Sequence, residues 1–195
     1  MKTFIKFCGF VLFKRIKLFA FLSAVYFCSI SIAAFVASLL FMPPPSEGWS
    51  PEILVPYLNE DLLLLLFEIF LFNLFLSAFV FVTLPGLVFF PLSAVTLLVR
   101  ATSLGLIIYS MPTSVFLVVL PTLVLEGEAW VLAALAGTCL GVSWFKPVWM
   151  YGREELSRWD ALKKMLKECG CVYFLVILLL FVGAFVEVLT IAFLV

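Results

Sequence analysis

Five charged side chains stand inside otherwise apolar runs of this chain: Glu68, Arg100, Glu126, Glu128 and Glu187, with Asn73 and Thr190 as neutral polar companions. These are the groups that could do chemistry. A charge at the bilayer centre costs about 2.5–3.5 kcal/mol on insertion scales, so each asks for a partner or a polar cavity. Four acids and one base cannot all pair. If all four acids lie in hydrocarbon, at least three must be protonated, solvated or bound to a cation. Inter-helix polar glue is the plain alternative, and it is the default for Asn73 and for Glu187 with Thr190, three apart on one helix face. Glu68 lies near enough to a helix end to reach the headgroups.

Other chemistry is thin. The chain has no His, which removes the commonest general base and the commonest metal ligand. There is no His-Glu-x-x-His, no Gly-x-Ser-x-Gly and no Asp in any apolar run. Arg153-Glu154-Glu155-Leu156-Ser157-Arg158 has two residues between acid and Arg where the Glu-Glu-x-x-x-Arg motif of membrane CAAX-type proteases has three, so it reads as a solvated helix face. Cys8, Cys28, Cys139, Cys169 and Cys171 make no zinc spacing and are expected as free thiols. No enzyme, no metal and no cofactor is expected, and no nucleic-acid partner.

The elements that position these groups are membrane helices. Of 195 residues, 66% are hydrophobic and 12% charged; the mean hydropathy is +1.28. A soluble domain is nearer half apolar and a quarter charged. Long apolar runs, rather than short alternating ones, predict an all-α polytopic bundle. It is read as a single membrane domain over 1–195. Segment 1–17 carries Lys2, Lys6, Lys14, Arg15 and Lys17 among Phe residues and no acid, as an interfacial segment beside an anionic leaflet would. A first span follows at 18–42. Segment 43–61 holds three prolines in a row, four acids and no Lys or Arg, as an external loop would. The next spans are expected at 62–84, ending at a Pro85-Gly86 turn, and at 86–109, bent near Pro91 or Arg100. A cytoplasmic amphipathic helix is expected at 149–168, with Leu156, Trp159, Leu162 and Leu166 on a face able to dock partners. The last span is 171–195.

Between them lies 111–147, where Glu126 and Glu128 separate two apolar runs. The first, 113–125, is 13 residues, roughly 20 Å, short for a hydrocarbon core of about 30 Å. The second, 129–145, is 17 residues and just long enough. If Pro85 and the basic stretch from Lys146 are both inside, the interval between them crosses an even number of times. Three apolar pieces occupy it, so 113–125 is expected to be a re-entrant half-helix turning at the acids. It would carry Glu126 into a buried polar cluster with Asn73, Arg100, Glu187 and Thr190. The alternative sets both acids at the external interface. Gly137 and Gly141, four apart, predict close helix packing. The total is five spans plus one half-helix, with the N-terminus cytoplasmic and the C-terminus external.

Pro121, Glu126, Ala129, Gly137 and Gly141 stand in a spacing that resembles the central signature of the SpoIIM (stage II sporulation protein M, DUF95) family, Pro-His-Gly-x-x-Glu-x-x-Ala followed by spaced glycines. Asn73, Gly86, Gly105 and the Glu187/Thr190 pair resemble further family positions, so the resemblance covers about 62–195. Thr122 and Leu123 replace the family's His-Gly, Glu128 replaces a Pro or small residue, and Arg100 stands where an Asn is common. The resemblance implies a cell-membrane scaffold, since the family's sporulation members resemble proteins that hold envelope-remodelling hydrolases. Two functions follow as expectations. One is a non-enzymatic scaffold or partner subunit with protein partners on its cytoplasmic face, or a second copy of itself. The other is a transporter or channel component using the buried cluster as a cation or proton site.

Overall fold

The computed structural model describes residues 2–41, 61–152 and 156–194, and among these all regular structure is helical. The acidic stretch 43–60 of the expected external loop and residues 153–155 lie outside the described residues. Five helices are long and apolar enough to cross a membrane. Lipid offers no hydrogen-bond partners, so such segments must satisfy their own backbone, and helices do so. Hydroxyls within them follow suit: Ser29 donates to Val25 O (2.7 Å), Thr102 to Leu98 O (3.0 Å) and Ser103 to Val99 O (2.9 Å).

Helix α1, Lys2–Leu40, joins the expected basic segment and first span into one rod of 39 residues, about 58 Å. Asp61 caps α2, its side chain accepting from Leu63 N–H at 3.0 Å. α2 runs from Leu62 to Val88, but only its ends are regular: Leu62–Leu71 and Leu84–Val88 are α-helical and Phe72–Thr83 is π-helical. At the end of the π segment, Leu84 N–H reaches Phe79 O, five residues back. The wide turns stop just before Pro85, whose missing N–H and ring clash disfavour regular bonding one turn upstream.

Pro85 and Gly86 therefore lie inside α2 rather than in a turn. The chain turns three residues later, where Phe89 is extended (φ −149°, ψ 114°). α3, Leu92–Ser110, begins after Pro91 and passes Arg100 unbroken.

The largest correction concerns 111–147. No re-entrant turn forms; α4 is one helix from Thr113 to Phe145, 33 residues, with Pro121 inside it. Glu is a good helix former, and Gly127 between the acids serves contact rather than a turn. A Cβ at Gly127 would sit 2.9 Å from the Tyr26 ring of α1. The two short apolar runs are thus halves of one helix, and two membrane-length helices rather than three apolar pieces lie between Pro85 and Lys146.

The expected cytoplasmic helix is also redrawn. α5, Pro147–Tyr151, is separate and ends at Gly152, whose φ of +71° favours glycine. α6, Arg158–Leu194, then runs straight into the last span. Its inward stripe is Ala161, Met165, Cys169 and Val172, all buried. Of the face expected to dock partners, Leu156 and Leu162 pack against the core, while Trp159 and Leu166 are exposed. Trp159 meets Trp144 edge to face at 5.1 Å. The apolar periodicity is real; much of it is spent within the chain.

α4 is the hub. Its residues 129–137 are buried on every side, as a helix surrounded by others must be. Gly137 and Gly141 do pack helices closely: a Cβ on Gly137 would come 2.7 Å from Thr83 O, and one on Gly141 2.8 Å from Phe90 Cα. The partner is α2 and the turn after it, so this small-residue spacing joins two segments of one chain.

Candidate functional site

A cavity of about 500 Å³ opens between α2, α3, α4 and α6. α2 contributes Leu65, Glu68, Ile69, Phe72 and Asn73; α3 contributes Arg100, α4 Glu126 and Trp130, and α6 Glu187. Of the polar cluster expected from the sequence, Asn73, Arg100, Glu126 and Glu187 line this space. Thr190 is half-buried and is not part of the lining. Glu68, expected near the headgroups, is exposed and borders the same cavity.

Glu126 is the buried anchor, 8% exposed. Asn73 Nδ2 donates to its Oε1 at 2.6 Å. Asn73 sits two residues into the π segment, where the α-to-π change resets which side chains face α4. A neighbour also makes room: a Cβ at Gly183 of α6 would lie 3.3 Å from Glu126 Cγ. A larger residue there would crowd the carboxylate.

Arg100 is held differently. Its guanidinium carbon stands 3.9 Å from the centre of the Trp130 ring, a cation–π stack. Among the described residues no carboxylate oxygen comes within ion-pairing distance of it. Trp130 follows Glu126 by four residues and therefore shares its face. It is buried, and its Nε1–H has no acceptor. Behind it, Tyr26 of α1 meets the indole edge to face at 6.4 Å. Thr122, where the resemblance sets a His, lies one turn before Glu126, buried and with its hydroxyl unpartnered.

Glu128 goes elsewhere. Two residues along a helix is about 200° of rotation, so it turns away from Glu126. Ser23 of α1 donates to its carboxylate at 3.3 Å. The two acids that look like one feature in the sequence serve different helix pairs.

Sequence reasoning missed Trp130 as a cavity wall, although its i+4 spacing from Glu126 was a usable signal. It also missed a second buried charge site. Arg15 of α1 and Glu168 of α6 pair at 3.0 Å, each side chain 11% exposed, and Arg15 also contacts the sulfur of Met150 in α5. The sequence sets Arg15 in the basic interfacial segment 1–17 and Glu168 at the end of the polar stretch 149–168, with nothing to join them. Among the described residues no three His, Cys, Asp or Glu side chains are grouped to hold a metal ion. The cysteines are free thiols; Cys28 is exposed and the other four buried.

Five membrane-length helices, four of them bordering this open cavity, are the architecture of a multi-pass α-helical membrane protein. Residues 15–190 match the family described as Stage II sporulation protein M (SpoIIM), and the chain belongs to that family. Comparison with curated proteins and with solved structures returns no match.

Proposed function

We propose that this chain is a transporter or channel component in which Glu126, braced by Asn73, takes up a proton or a monovalent cation from the cavity that Glu68 and Glu187 border. The observation that carries this reading is the cavity. It offers about 500 Å³ lined by three carboxyl groups, one amide and one guanidinium. Polar glue needs contact rather than room, and room beside a buried carboxyl is what a ligand needs. The π-helical stretch starting at Phe72 is a second support, since such wide turns gather at functional sites. No catalytic role is part of this reading.

The chain is set in the cell membrane with its N-terminus cytoplasmic and its C-terminus external. All of its Lys and Arg except Arg100 fall in 1–17 and 146–167, and positive residues stay on the cytoplasmic side. The acidic 43–61 segment is then external. Glu68, six residues into α2 and roughly 9 Å from its start, is the cavity acid nearest that side.

The test is flux. The protein is reconstituted in proteoliposomes, and a proton, Na⁺ or K⁺ gradient is imposed and followed with an enclosed ion-sensitive dye. Wild type is expected to dissipate one gradient and Glu126→Gln to abolish that flux. Undiminished flux in Glu126→Gln, or none in wild type, rejects the proposal. A second reading, a scaffold docking partners on the first turns of α6, has the exposed Trp159 and Leu166 in its favour. It predicts that Trp159→Ser with Leu166→Ser loses a co-purifying partner while Glu126→Gln keeps it.

A further inference from the structure

The cavity beside Glu126 holds charge of both signs, and the helices keep the two apart. α6 passes α4 in the opposite direction: Cys169 Sγ donates to Ala136 O at 3.7 Å, and a Cβ on Gly183 would meet Glu126 Cγ at 3.3 Å. Glu187, one turn past Gly183, therefore lies on one side of Glu126, and Trp130, one turn past Glu126, lies on the other. Leu65 and Leu66 of α2 pack with Ala184 and Val188 of α6, which sets Glu68 near the level of Glu187. One pole of the cavity is thus a pair of carboxyl groups, and the other is the Arg100 guanidinium stacked on Trp130. Two turns separate them, about 12 Å along the backbone. Side chains lean toward the N-terminus of their own helix, so Glu187 and Trp130 lean toward each other and narrow that distance.

Neither pole is neutralised from within. Among the described residues Glu68, Glu187 and Arg100 form no ion pair. The Trp130 side chain adds a third unmet group: the residue is 5% exposed, lines the cavity, and its indole N–H has no acceptor. A buried donor left unpaired is costly. An inorganic cation would answer the carboxyl groups and leave Arg100 and the indole N–H unmet, and a simple anion would do the reverse. One molecule carrying both an ammonium and a carboxylate answers both poles. With a hydrogen bond of about 2.8 Å at each end, an α-amino acid reaches roughly 8 Å from one partner to the other. The remaining wall is apolar, from Leu65, Ile69 and Phe72, and about 500 Å³ is room for a whole small molecule.

We propose that the cavity binds a small zwitterion, an α-amino acid with an apolar side chain. Its carboxylate meets Arg100 and the Trp130 N–H, its ammonium meets Glu187 and Glu68, and its side chain lies on Leu65, Ile69 and Phe72. Glu126, held by Asn73 between the poles, is left to the proton or cation. The inference rests on the reading of this cavity as a ligand site and names the cargo.

The experiment is equilibrium dialysis of the full chain in neutral detergent against three labelled probes. They are leucine, isopentylamine (leucine without its carboxylate) and isocaproate (leucine without its ammonium). Wild type is expected to bind leucine, and each half-molecule at least about tenfold more weakly. Arg100→Gln should weaken leucine by about tenfold or more and spare isopentylamine. Glu187→Gln should weaken leucine and isopentylamine and spare isocaproate. A variant that merely misfolds loses all three probes, so these opposite selectivities separate binding from structure. Glu128→Gln, whose carboxylate faces Ser23, should change nothing. No leucine binding by wild type, or isopentylamine held as tightly as leucine, overturns the zwitterion whatever the variants do. Ion flux through Glu126 without leucine binding rejects this cargo and keeps the transport reading; leucine binding without flux keeps the cargo site and rejects transport.

Discussion

Two buried charge sites in this bundle solve one problem in opposite ways. Near the Lys-rich end, Arg15 and Glu168 close on each other at 3.0 Å, beside a void of only about 10 Å³. At the other, Glu126 takes an amide and Arg100 takes an aromatic face, and about 500 Å³ stays open beside them. At the first site each charge has its counter-charge, and almost no space is left beside the pair. The second keeps acceptor capacity on its carboxyl groups. A buried charge that pairs fully is a fastener, and one that pairs in part is available to a ligand.

That contrast can be broken most sharply at the fastener. Glu168→Leu leaves Arg15 buried and alone, and is expected to destabilise the bundle by about 3–5 kcal/mol. Adding Arg15→Met should recover most of that loss, and thermal unfolding in micelles would show it. Failure of the second change to rescue would mean that the pair is not the source of the cost.

An intermediate effect is expected where α2 crosses α4. Gly137→Ala would drive a Cβ to within 2.7 Å of Thr83 O, which is backbone and cannot swing aside. About 1–3 kcal/mol of stability should be lost. Gly170→Ala, where nothing lies within 4 Å, should be neutral or slightly stabilising by the same assay.

The smallest effect should be at the cavity itself. Glu126→Gln keeps an oxygen for Asn73 to donate to, so unfolding should shift by less than about 1 kcal/mol. A loss as large as that of Glu168→Leu would make Glu126 a second fastener and remove the distinction.

Much of this architecture was legible in the chain because membrane helices announce themselves by length and apolarity. The spacing of Pro121, Glu126, Gly137 and Gly141 was enough to see the family. What misled was treating Glu126 and Glu128 as a boundary. A charge ends a span only if nothing inside satisfies it, and Asn73, 53 residues away, does so for Glu126. Linear inspection cannot see that partner. The same limit hid Arg15 with Glu168, 153 residues apart. The π-helical stretch had no signal beyond Pro85 at its far end. The face expected at 149–168 is divided: Leu156 and Leu162 pack against the core of the chain, while Trp159 and Leu166 stay exposed, and spacing alone does not separate the two pairs.

α6 has one consequence of its own. It runs unbroken from Arg158 to Leu194 and carries Glu168 at its foot and Glu187 nineteen residues higher, roughly 28 Å along one shaft. The closed pair and the open cavity therefore share one helix as a common wall, so a change that displaced α6 as a body would reach both.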